Sequence, residues 1–190
     1  MAAPSLRQEL RAATRDVHDR LHRHAGFAAI QDATICLVDY QNLVARLYGF
    51  YVPFEAAAAI GPDRSTWLAG DLQALGSKRP FHAVPKCWHV PRLDSAHLRL
   101  GALYVAEGSA LGGRDLARGL DRLLGKDVME GRQFFIGRGA GTGDAWRSYL
   151  AQVSAAPPEP SIRAEIIEGA VETFAAFEHW LNGWNTLSHG

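Results

Sequence analysis

Apolar residues recur at helical spacing near both ends of this chain, and that pattern restricts the fold more than any other feature. Leu6, Leu10, Ala13, Val17 and Leu21 form one stripe, and Ile162, Ile166, Ala170, Phe174, Phe177 and Leu181 form another. Residues three and four apart stack on one helix face, so each stripe reads as the buried side of an amphipathic helix. Composition agrees: 30 Ala and 21 Leu stand against 23 of Val, Ile and Thr together, and Ala and Leu lead the helix scale. No run of clean apolar–polar alternation marks a strand.

The pattern predicts helices over about 5–24, 34–60, 67–75, 94–124, 142–155 and from 162 onward. Ser5 and Gln8 suit a capping box at the first start. Pro53 should bend the second helix, and Gly61-Pro62 should stop it. Pro80, Pro85 and Pro91 make 76–91 a loop, and Pro157, Pro158 and Pro160 mark the last break. No repeat and no linker divides the chain. Residues 1–190 therefore read as a single all-α domain.

Twenty Lys and Arg balance twenty Asp and Glu. A broad nucleic-acid surface needs surplus cations, so that partner class is not expected. Two cysteines, Cys36 and Cys87, have no CxxC spacing, which argues against a disulfide framework or a zinc knuckle. The first ten residues lack a signal-peptide core, and nowhere do 18 apolar residues run together. The expectation is a cytoplasmic protein without a membrane partner.

Three segments carry candidate chemistry. On the first helix Arg11, Arg15, His18 and His22 share a face. An imidazole flanked by guanidinium groups suits an anionic ligand that also needs a nitrogen donor; the same face would serve as plain solvated surface. On the third long helix Gly108, Gly112 and Gly113 together cost on the order of 2 kcal/mol against alanine. Bare backbone at Gly108 and Gly112 would let a flat ligand lie against the helix; close helix–helix packing would use the same glycines. Gly137-x-Gly139-x-Gly141 lacks the preceding strand and the Lys-Ser/Thr ending of a phosphate cradle, and reads as a connector.

Four segments together resemble the haem oxygenase family, most closely its soluble bacterial, biliverdin-forming, bacteriophytochrome-associated branch. They are Leu10-Arg11-Ala12-Ala13-Thr14-Arg15-Asp16-Val17-His18, Leu47 to Glu55, Tyr104 to Gly113, and Glu172 to Glu178. They occur in the family's order and span nearly the whole chain. The resemblance implies a helical bundle with haem between the first, proximal helix and a kinked, glycine-rich distal helix. It implies that haem is both substrate and cofactor, opened to biliverdin, CO and ferrous iron with O2 and external electrons. A ferredoxin or reductase is the implied donor, and a bacteriophytochrome a possible recipient of the product.

By the same resemblance His18 is the proximal iron ligand. Arg11, Arg15 and Arg147 face the propionates, Gly108 and Gly112 lie over the ring with Ser109 beside them, and Tyr51 and Phe174 line the pocket. Two departures from the animal enzymes involve three positions. Ser109 replaces a distal aspartate, with Val105 in place of a nearby arginine, and His22 replaces an acid one turn beyond the proximal histidine. The bacterial branch shares the Glu107-Gly108-Ser109 run. A haem carrier on the same fold is the alternative reading, and a thiamin-degrading or di-metal relative a remoter one. Di-metal helical oxygenases need Glu-x-x-His pairs, which the chain lacks. Cys87, His89, His97, Glu165, Glu168 and Glu172 are read as structural or solvated.

Overall fold

The computed structural model describes residues 4–185. It is all-helical: α1 (Leu6–His22), α2 (Ala25–Gln31), α3 (Leu37–Ala57), α4 (Asp63–Ala74), α5 (Ala96–Gly119), α6 (Asp121–Leu124), α7 (Gln133–Ile136), α8 (Thr142–Ala155) and α9 (Pro160–Leu181). One-turn 3-10 segments lie at Phe81–Ala83 and Gly139–Gly141.

The start of α1 follows its local chemistry. The Gln8 amide donates to Ser5 Oγ at 3.3 Å and the Ser5 amide donates to Gln8 Oε1 at 2.7 Å, which completes the capping box. Leu6, Leu10 and Leu21 are buried as their spacing requires, but Thr14 rather than Ala13 completes the stripe. Its hydroxyl donates to the Leu10 carbonyl at 2.8 Å, so a buried polar group is satisfied within its own helix.

Other boundaries depart from the sequence reading. The predicted first helix ends at His22, and His24 opens a separate α2, with its Nδ1 accepting from the Gly26 amide at 3.3 Å. The third predicted helix divides at Leu120 into α5 and α6. Helix α4 begins four residues before Trp67, because a cap comes from elsewhere: Pro62 provides no side-chain cap, and buried Glu55 of α3 accepts from the Arg64 and Ser65 amides at 2.7 and 3.2 Å. A carboxylate at a helix N-terminus satisfies free donors and opposes the positive end of the dipole. Pro53 lies inside α3, which continues through it. Asp71 does the same work for α7, receiving the Gln133 and Phe134 amides at 2.7 and 2.9 Å. Burial pushes its carboxyl up to about 6.

Helix α5 packs along α9 at backbone distance. A Cβ at Gly101 would collide with the Ile166 carbonyl, and one at Gly169 with the Leu98 carbonyl. Small residues at both crossings let the helices meet without intervening side chains, and larger ones would force them apart. Helix α1 lies on α9 through the Leu6–Leu10 end of the core and two ion pairs: Arg20 with Glu178 at 2.6 Å and Arg163 with Glu9 at 2.8 Å. Tyr40, Leu43, Leu47, Phe50 and Phe54 of α3 fill the main core. Glu165 joins the framework too: its carboxylate lies 3.0 Å from His97 Nδ1, while Glu168 and Glu172 stay exposed.

Replacing Glu55 by Ala strips the start of α4 of its acceptor. The expected cost is about 2–3 kcal/mol, seen as a Tm lowered by roughly 5–10 °C, with Glu55→Gln losing less.

Candidate functional site

Helices α1, α3, α5 and α9 enclose a cleft of about 320 Å³. His18 and His22 of α1 stand on one wall, and α5 contributes the run from Tyr104 to Gly113 with Glu107 left out. Tyr51 of α3 and Phe174 and Phe177 of α9 close the interior. The lining is mainly apolar, with a few polar groups converging, which is the usual make-up of a small-molecule site. Leu111 stays 43% exposed along this wall, although most large apolar side chains are buried.

The glycines of α5 divide by purpose. A Cβ at Gly113 would strike the Phe135 carbonyl, so that residue is glycine for packing. At Gly112 a Cβ would meet nothing within 4 Å, and at Gly108 only the Trp146 ring at 3.7 Å. No protein neighbour requires glycine at either position. Helix α5 runs unbroken through all three.

His18 points into the cleft with its side chain 55% exposed, its ring 6.5 Å from Phe174 in an edge-on contact. His18 and His22 Nε2 atoms lie 3.3 Å apart. The His22 imidazole is held below its ordinary pKa by partial burial and by its neighbour His18. Ser109 Oγ donates to the Ala106 carbonyl at 3.0 Å, the usual helix back-bond, and it also contacts the Tyr51 hydroxyl. Tyr51 is buried, which raises its pKa and keeps it protonated.

The basic residues lie elsewhere. Arg11 and Arg15 are exposed on α1, one and two turns before His18, with Arg15 3.7 Å from Asp16. Arg147 is exposed beside Trp146 and pairs with Asp144. None of the three forms part of the cleft wall. Sequence reading missed another cation, Arg64, which is 4% exposed, lines the cleft, and donates to Glu107 Oε1 at 2.8 Å. Arg138 holds the second Glu107 oxygen at 2.9 Å. Nothing about Arg64 in the sequence sets it apart, because its partner is 43 residues away. Trp67, Phe134 and Trp146 of the lining are likewise brought in by tertiary packing.

Cys87 is buried, its amide donating to the Gly49 carbonyl at 2.9 Å. Among the described residues no three His, Cys, Asp or Glu side chains group as a metal cluster, and no helix is long and apolar enough to cross a membrane. A second hollow, about 370 Å³, touches Cys36, Gly119 and Arg122 and has no histidine on its wall.

The heme oxygenase family profile matches residues 4–183. The chain therefore belongs to the haem oxygenase family. Among solved structures it resembles a heme oxygenase of the cyanobacterium Synechocystis in complex with heme, at 17% identity and TM-score 0.74, covering 97% of this chain and 94% of that one. The Leptospira interrogans heme oxygenase matches at 17% identity and TM-score 0.72, over 94% and 98% of the two chains. The NO- and CO-bound heme oxygenase of Neisseria meningitidis matches at 23% and 0.63, over 98% and 95%. These likenesses establish the fold. Comparison with curated proteins yields no match.

The division among the α5 glycines has a direct check. Gly112→Ala should raise stability by about 0.5–1 kcal/mol through helix propensity, whereas Gly113→Ala should lose about 1–3 kcal/mol through overpacking. Urea unfolding of the two variants distinguishes them.

Proposed function

We propose that this chain is a haem oxygenase of the soluble bacterial type, acting as one unit over residues 1–190. It would bind haem in the cleft between α1 and α5 and open the ring to biliverdin, CO and ferrous iron. The observation that carries this reading is the pairing of His18 on one wall with Gly108 and Gly112 on the other, where nothing in the protein itself requires glycine.

The residues suit the group. A flat apolar ring needs close approach to backbone, and Gly108 and Gly112 permit it. Iron needs a neutral nitrogen donor, and His18 offers one in the cleft. Two carboxylates need cations, and Arg11, Arg15 and Arg147, exposed outside the cleft wall, are the residues proposed to meet them. Exposed pairs are worth only about 0–1 kcal/mol each, so these arginines would orient the ligand more than hold it. Burial of the ring against Phe174, Tyr51 and the α5 backbone would supply most of the affinity.

Bound haem supplies the iron centre at which O2 is reduced, with electrons from an external donor such as a ferredoxin or reductase. The protein's contribution lies in placing donors around it. Asp19 Oδ1 lies 3.7 Å from His18 Nδ1, on the side of the ring away from Nε2. Tyr51, kept protonated by burial, and Ser109 offer hydroxyl groups at the α5 wall. Arg64 adds a fixed positive charge beside them, neutralised by Glu107. Val105 and Leu116 add apolar surface to the lining around them. The cytoplasm is the proposed setting, with delivery of biliverdin to a bacteriophytochrome as the proposed use.

A haem titration followed by reductant in air, with chromatography of the product, tests the reading. The wild type should bleach its Soret band and form biliverdin; a persistent Soret band would mark a carrier instead. His18→Ala should still bind some haem but lose turnover at least tenfold, about 1.4 kcal/mol or more. Unchanged biliverdin output from that variant would overturn the assignment of His18.

A further inference from the structure

The histidine that replaces an acid one turn beyond His18 makes a second site possible on the same wall. We propose that His18 and His22 form a two-histidine chelate for a divalent transition-metal ion, and that this ion and haem exclude one another. The chelate stands on α1 alone; the exclusion rests on the haem reading above.

Position places both rings on one face, since residues four apart stack one above the other. Their Nε2 atoms are 3.3 Å apart. Two imidazoles on a tetrahedral zinc ion, with Zn–N near 2.0–2.1 Å, hold their nitrogens roughly 3.3–3.4 Å apart. A right-angled pair in an octahedral site would bring them to roughly 3.0 Å. The observed separation, at which the two rings share a hydrogen bond, matches the tetrahedral bite, so an ion would replace the shared proton. The ring centroids, now 4.4 Å apart, must part to about 5 Å for both lone pairs to meet one ion. Exposed side chains on a helix surface make that rotation on the nanosecond scale.

Imidazole is a borderline donor suited to zinc, nickel and copper. Nε2 of each ring faces the other, which makes these the coordinating nitrogens. Four of the other described histidines are differently engaged, and His82 is exposed with no second histidine a turn away. His24 faces the Gly26 amide and the Leu181 carbonyl. His97 faces Glu165, and His89 packs edge-on against His179. Among the described residues no third side chain completes the His18–His22 pair. Two coordination positions would therefore remain open to water on the cleft side, and the ion would exchange readily. Because His18 is shared, a metal on the pair occupies the nitrogen that haem iron would need.

The full chain, free of haem, is titrated with zinc chloride against a chromogenic chelator. His18→Ala and His22→Ala should each weaken zinc binding by about tenfold or more, while His179→Ala leaves it unchanged. Circular dichroism should show full helix content in all three, since neither His18 nor His22 supports the core. Zinc affinity unaltered in His22→Ala, or lost in His179→Ala, overturns the proposal. Haem is then titrated with and without saturating zinc. Zinc should weaken haem binding to the wild type and have no such effect on His22→Ala; equal weakening of both overturns the exclusion. Zinc binding that needs both histidines in a protein that takes no haem would sustain the chelate and refute the haem reading. Haem binding without zinc binding would do the reverse.

Discussion

Helix α5 is held at backbone distance on either side of the cleft. Near its start Gly101 meets the Ile166 carbonyl of α9, and further on Gly113 meets the Phe135 carbonyl. Both contacts tolerate only hydrogen in place of a side chain. Such close contacts resist displacement of α5 toward or away from these neighbours. The segment from Val105 to Gly112 is left as a fixed wall, and its two unneeded glycines make that wall thin.

The opposite wall has a different basis. Helix α1 is seated by Leu6, Leu10 and Leu21 and steadied by Arg20 and Arg163, whose partners Glu178 and Glu9 are partly exposed. Such pairs add little stability but limit rotation about the helix axis. That matters because His18 and His22 lie on the edge of the buried stripe, where a small rotation would turn them to solvent. A rigid wall on α5 and an oriented wall on α1 together define what the cleft accepts: something flat, largely apolar, with a centre that takes a nitrogen donor.

Beside the α5 wall, Glu55, Arg64, Glu107 and Arg138 form one connected group of charges. Glu55 caps α4 and so positions Arg64; Arg64 holds Glu107; Arg138 holds the other oxygen of Glu107. The acid within the α5 motif is thus absent from the cleft lining, neutralised by Arg64, which does line it, and by Arg138, which does not. What faces the ligand space is the hydroxyl of Ser109, with Tyr51 beside it. A buried pair of this kind is costly to break, because either partner alone would be an uncompensated charge. Its contribution is to the shape of the site more than to net stability.

The amino-acid sequence alone determined the helical class, the stripes of α1 and α9, the capping box at Ser5, the start of α8, and the placing of His18 and the α5 glycines on helices. Each of these depends on residues within one or two turns, where spacing is geometry. It could not separate Gly112 from Gly113, because the difference is a carbonyl 22 residues beyond Gly113, on another element. It could not place Glu55 as the cap that starts α4 early, mark Arg64 as a buried cation, or show that Arg147 pairs with Asp144 outside the cleft wall. Tertiary structure decided these, since desolvation and long-range pairing exist only once distant segments meet. The four-segment resemblance pointed to the family because it carried that long-range information in its order along the chain, which local propensity does not.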